Sequence, residues 1–183
     1  MIKIPKFFNE ILGETQKKIE LICIILFSLI STIFLFTYYK ETLILLPLLN
    51  QAILLLLTLD ITGGVIANLS FGTDRYYSER KNARLVFIAI HIQSLLIFLF
   101  AKLPIWIGIM LWGYTIICAL ILEKLKNHPS QKVFAGITLF IGLGILFIFE
   151  TQLTSFISLL MFLFLFKVLY SFSVNHHIGD SNE

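Results

Sequence analysis

The run Leu21–Phe36, LICIILFSLISTIFLF, carries no charged side chain. Lys17-Lys18 precede it and Tyr38-Tyr39 follow it. A bilayer core needs about 20 mostly apolar residues per helix, and the stretch from about Glu20 to Tyr38 supplies them. It lacks the period-two alternation of a transmembrane β-strand. In lipid every backbone group must find its partner inside the protein, so the stretch reads as a helix.

Five further stretches read the same way: 43–71, which is unusually long, then 85–101, 105–122, 133–149 and 155–174. Of 183 residues, 58% are apolar and 14% charged, and the mean hydropathy is +0.92. A soluble domain carries about 25% charged residues. A globule of this size keeps too much surface to hide so much apolar side chain from water. A soluble enzyme, a disordered hub and a disulfide scaffold are therefore excluded. Cys23 and Cys118 lie in separate apolar runs without a CxxC, so neither a thiol relay nor a zinc knuckle is expected. The expectation is an all-α membrane protein, a single bundle of six transmembrane helices. The links 39–42 and 102–104 are short, which sets sequential helices antiparallel and adjacent.

Basic residues set the orientation. Lys3, Lys6, Lys17 and Lys18 precede the first span, and Arg75, Arg80, Lys81 and Arg84 fill the loop between the second and third. Lys124, Lys126 and Lys132 flank the link between the fourth and fifth, whereas the opposite face carries only Lys40 and Lys102. By the positive-inside rule both termini, including the tail 175–183, are expected in the cytoplasm. Tyr38, Tyr39 and Trp106 then fall at the outer boundary, where amphipathic rings are favoured. Within residues 1–18, Phe7, Phe8, Ile11 and Leu12 make a helical stripe after Pro5. This predicts an N-terminal amphipathic helix lying on the inner leaflet, as an anchor or as a regulatory arm.

Three ionisable residues sit where lipid should reject them: Asp60, His91 and Lys167. A charge at mid-bilayer costs roughly 2.5–3.5 kcal/mol on insertion scales. Asp60, Gly64 and Asn68 follow one another at i, i+4 and i+8, so they share a helix face. Gly63 and Ala67 form a small-xxx-small pair beside them, which lets another helix approach closely. This describes a helix buried in the bundle. The helical rise puts Asp60 about 16 Å from Phe71, His91 about 9 Å from Leu85 and Lys167 about 10 Å from the inner end of its span. We therefore expect Asp60, Gly64, Asn68, His91 and Lys167 to line one buried polar site open toward the cytoplasm. An Asp60–Lys167 pair would neutralise both charges, and His91 would bond Asn68 or Asp60. Gln93 and Ser94 add hydrogen-bonding groups nearby. The plainer alternative is that polar residues merely hold the helices together while Lys167 reaches back to the headgroups.

The loop Gly72–Arg84 is the second cluster. Arginine forks at Arg75, Arg80 and Arg84 suit phosphate, and Tyr76 and Tyr77 suit the headgroup zone. An anionic lipid or small anionic substrate is the expected contact, the alternative being that these charges only set topology. His128, His176 and His177, with Asp180 nearby, have no metal-site spacing, so no metal is expected. No facing histidine pair for haem, no GxSxG and no Walker loop occur, so no cofactor is expected. No basic face is left over for nucleic acid.

The run Asp60-x-x-Gly63-Gly64-x-x-x-Asn68, then Thr73-Asp74-Arg75-Tyr76-Tyr77, Arg84 and Phe87-x-x-x-His91, resembles a family of uncharacterised bacterial multi-span integral membrane proteins. The likeness covers roughly a sixth of the chain. It implies a bacterial cell (inner) membrane protein with this hairpin as its signature, and it implies no activity. Three function classes follow from the residues. The first is a small permease or carrier with Asp60 and His91 as a substrate or proton site. The second is a membrane-embedded enzyme acting on a lipid or lipid-linked phosphate, with His91 or Asp60 as general base. The third is a non-catalytic membrane partner or immunity-type protein whose polar face recognises another helix. The oligomeric state is not legible.

Overall fold

A computed structural model describes residues 1–126 and 128–176. Among them are six helices long and apolar enough to cross a membrane. The first span is α2 (Lys18–Tyr38) and the second α4 (Leu48–Ala67). The third consists of α6 (Lys81–Ala89) and α7 (Gln93–Phe100). The fourth is α8 (Ile105–Lys124) and the fifth α9 (Gln131–Ile148). The sixth consists of α10 (Ser155–Leu165) and a π-helical segment, Phe166–Phe172.

Consecutive spans pack side by side, and the sixth occupies the centre, touching α4, α7, α8 and α9. Leu160, Met161, Phe164, Leu165, Val168 and Leu169 on it are fully buried. The outward faces of the other spans are apolar, as with Phe34, Ile117 and Phe140. Such surfaces suit lipid and not water.

The second span is shorter than the predicted 43–71. Leu43 belongs to a separate turn, α3 (Lys40–Leu43), and Pro47 stands at the N-cap of α4. Proline lacks an N–H and fixes φ, so a helix starts after it at no hydrogen-bond cost. At the far end Asn68 is the C-cap, and a new helix, α5 (Phe71–Ser78), runs along the end of the bundle. The third span starts earlier than predicted, at Lys81, and breaks at 90–92.

The N-terminal segment departs further from expectation. It is not one amphipathic helix. β1 (Ile2–Lys3) and β2 (Thr15–Gln16) pair antiparallel, and between them a 3-10 turn, Lys6–Phe8, runs into the single α-turn α1 (Asn9–Leu12), so the predicted stripe is helical over residues 6–12 only. Gly13 stops the turn at φ +74°, a conformation that favours glycine. It lies against the backbone of Gly72, where a Cβ on either glycine would collide with the opposite chain. The segment is a clasp tied to α5. Buried Gln16 donates to Ser70 Oγ, Tyr77 Oη donates 2.8 Å to the Glu10 carbonyl, and Arg80 pairs with Glu14 at 2.7 Å. These long-range polar bonds bend the segment back onto α5 instead of letting the helix continue, since each buried polar atom left unpaired costs about 1–3 kcal/mol. Phe7, Phe8 and Ile11 remain exposed.

Candidate functional site

Asp60 stands about 10 Å from the end of α4 at Ala67, by the rise per residue. Lys167 lies in the π segment of the neighbouring sixth span, and its Nζ donates to Asp60 Oδ2 at 2.8 Å. The Lys167 side chain is 3% exposed, so its charge depends on that carboxylate. Gln93 Nε2 donates to the same oxygen at 3.0 Å. The expected ion pair therefore forms between the second and sixth spans.

The π segment is the local device that presents Lys167. Ser173 N bonds back five residues to the Val168 carbonyl, and Ser173 Oγ reaches the same oxygen. The extra residue in the turn shifts side-chain register relative to an α-helix, a feature often found at functional sites. Gly64, one turn from Asp60, makes room for the lysine stem. A Cβ there would overlap Lys167 Cε and stand 2.9 Å from Nζ. Gly64→Ala should therefore push the ammonium off Asp60 while the helices stay packed, because only the end of a flexible side chain must move. We expect a roughly ten-fold loss of site function, about the cost of one charged hydrogen bond, with a smaller drop in thermal unfolding than Asp60→Asn because the carboxylate stays near the lysine.

His91 sits where the third span breaks. Its backbone N–H bonds to Ile88 O and not to Phe87 O four residues back, and its ring Nδ1 takes the freed Phe87 carbonyl. A carbonyl only accepts, so Nδ1 carries a proton, and in the neutral ring Nε2 presents a lone pair. Nε2 has no partner, although His91 is 1% exposed. Asn68 Nδ2 and Gln93 Oε1 are also unpartnered. The expected bond from His91 to Asn68 or Asp60 is therefore not made. Instead these side chains line a cavity of about 140 Å³, together with Asp60, Gly64, Lys167, Phe87, Ile90 and Ile11 of the clasp. Buried polar atoms are normally paired, and three unpartnered ones belong to side chains that line this one cavity.

Aromatic rings wall the cavity off from the basic end. Phe87 and Phe172 lie 4.5 Å apart, and Tyr77 packs 4.9 Å from Phe87. Beyond them lies Arg84, which is 1% exposed. It pairs with Glu123 of α8 at 2.5 Å and donates to the Phe172 carbonyl at 2.8 Å. Arg84 is thus a bolt between three spans and not a phosphate contact. The reading of Tyr77 as a headgroup contact fails likewise, since it is 2% exposed and bonded to the clasp. Burial, then Glu10, pushes its phenol above the ordinary range, so it stays a donor at physiological pH.

Arg75 pairs with Glu79 at 3.3 Å, and Arg80 lies over the Tyr76 ring at 4.3 Å as well as on Glu14. Both arginines remain partly accessible beside Tyr76 in a second cleft of about 200 Å³. Gly63 and Ala67 are buried in the bundle. A Cβ on Gly63 would come within 3.2 Å of Ser28 Oγ of α2, and that oxygen donates to Leu59 O. The close-contact face is thus taken by the chain's own first span. His128 Nδ1 accepts from Ser130 N, and His176 Nε2 faces the Tyr170 and Ser171 carbonyls. His177 and Asp180 lie outside the described residues. Among the described residues no three His, Cys, Asp or Glu side chains gather as a metal site.

Two members of the arrangement carried no distinctive sequence signal. Glu123 follows the apolar run of the fourth span, where a helix-end charge looks like an interface residue. Ile11 reads as a lipid anchor and lines the cavity instead. No protein-family model matches the chain, and no curated protein or solved structure matches it either.

Proposed function

We propose that this multi-pass membrane protein is a small permease or carrier whose substrate site is the cavity between the second, third and sixth spans. The observation that carries the reading is the Lys167–Asp60 pair facing unpartnered His91 and Asn68 at a broken helix and a π turn. Interrupted helices at membrane depth are tolerated where they line a cavity, and carriers place substrate sites at such interruptions. A net-neutral ion pair with spare donors and acceptors can exchange protein partners for substrate without leaving a bare charge in a dry setting. With the basic loops inside, the cavity lies in the cytoplasmic half of the membrane.

The enzyme alternative has less support, because Arg75, Arg80 and Arg84 each face a carboxylate and none points a free fork at His91. The partner alternative loses the Gly63–Ala67 face to α2. The test is flux in sealed proteoliposomes of a panel of small polar solutes and short-chain fluorescent lipids, read across pH. One class should move in a protein-dependent, pH-dependent manner, and Asp60→Asn should abolish the movement. Turnover of a labelled lipid in detergent, without a sealed compartment, would support the enzyme instead.

A further inference from the structure

The cavity opens sideways. Asp60 lies on the same outward stripe of α4 as Leu49 and Leu56, which are 68% and 65% exposed, and its own side chain is 45% exposed. The stripe Asp60, Gly64 and Asn68 was expected to face the bundle interior; Asn68 does, at 4% exposed, and Gly64 lies against Lys167, but Asp60 turns outward. Across the opening stands Ile90, 56% exposed, at the break in the third span. From the basic end Ile11 of the clasp covers the cavity, held by a bond from Thr73 Oγ1 to its carbonyl and by Tyr77 on Glu10. The side toward the aqueous loops is thus covered, and the side toward the surrounding medium is open and rimmed by apolar residues. On a helix of this hydropathy that medium is lipid.

The inner chemistry narrows the head group. Lys167 and Asp60 cancel, so a charged head would bring an uncompensated charge into a low-dielectric space. The unpartnered atoms on the side chains lining the cavity are two acceptors, His91 Nε2 and Gln93 Oε1, and one donor, Asn68 Nδ2; all three are buried, so a head group would meet them after a small side-chain shift. A hydroxyl both donates and accepts, and the cavity holds a head of a few heavy atoms. We infer that the site takes an uncharged, hydroxyl-headed lipid, of which a diacylglycerol is the simplest type, reaching Asp60 from the membrane between Leu56 and Ile90. This deepens the proposed carrier function and rests on it.

The test uses full-length protein in lipid nanodiscs and a diacylglycerol carrying a diazirine next to its head group. After irradiation, labelled peptides are mapped by mass spectrometry. Labelling is expected at peptides containing Ile11 and Ile90. Unlabelled 1,2-dioctanoylglycerol in about ten-fold excess over the probe should suppress it at least about five-fold, by mass action at a shared site. Phosphatidic acid of the same chain length and free glycerol should not. Ile90→Trp, at an exposed position that a larger ring can occupy without unfolding the bundle, should block labelling of the Ile11 peptide. Equal protection by phosphatidic acid would overturn the uncharged head group. Protection by glycerol alone, or unchanged labelling in Ile90→Trp, would overturn access from lipid and leave the carrier reading in place. If no competitor protects and Asp60→Asn leaves flux intact in every class, both readings fall.

Discussion

Replacing Glu123 with alanine should cost this protein about 3–5 kcal/mol of stability, the usual consequence of stranding a buried charge. The guanidinium of Arg84 is 1% exposed and the Glu123 carboxylate 7%. Arg84 has no water to fall back on, and Glu123 only the rim of a cleft shared with Ser78, Lys124 and Lys126. The third span supplies the cation, the fourth the anion and the sixth the carbonyl of Phe172. Removing the anion leaves a cation that must either stay bare or drag three helices apart. Thermal unfolding in detergent is the measurement, and the single variant should lose its cooperative transition at growth temperature. Arg84→Met combined with Glu123→Leu should recover most of the loss, because matched apolar side chains remove the need for the pair. If Glu123→Ala unfolds like the parent, Arg84 is not the bolt described here.

The second large effect concerns the Asp60–Lys167 pair, where stability and function should separate. Asp60→Asn leaves an ammonium 3% exposed without its counterion, so both stability and flux should fall. Lys167→Met keeps the stem packed over Gly64 and leaves a carboxylate that is 45% exposed. It should cost less stability than Asp60→Asn and yet lose flux by about 10- to 150-fold, the equivalent of a charged hydrogen bond at about 1.5–3 kcal/mol. The double variant Asp60→Asn with Lys167→Met contains no stranded charge. Its unfolding temperature should return toward that of the parent, and its flux should not. Recovery of flux along with stability would mean that the pair only holds the second and sixth spans together.

These two pairs show what a linear reading can and cannot reach. Both involve a charge at or inside an apolar run, and the cost of a charge in lipid is a property of the run itself. Asp60 and Lys167 were legible for that reason, and pairing them needed only opposite charge at similar depth. Arg84 was legible as a cation but misplaced. At the mouth of a loop with other arginines it looked like part of an exposed cluster, and only its partner on α8 shows it to be interior. Glu123, adjacent to Lys124 at a helix end, looked like an ordinary boundary charge.

By itself the sequence determined the helical class, the six apolar spans and the three ionisable residues that need shelter. These follow from local composition, because a segment's length and hydropathy choose its solvent regardless of what packs against it. Only the tertiary structure decided that the third span breaks at His91, that the sixth ends in a π turn and that residues 1–16 fold into a clasp. It alone turned Asp60 outward while Asn68 on the same stripe stayed buried, and gave the Gly63 face to the first span. Periodicity says which residues share a face of a helix. The direction in which that face points depends on neighbouring helices far off in the chain, Lys167 being 107 residues from Asp60, and no local pattern encodes it.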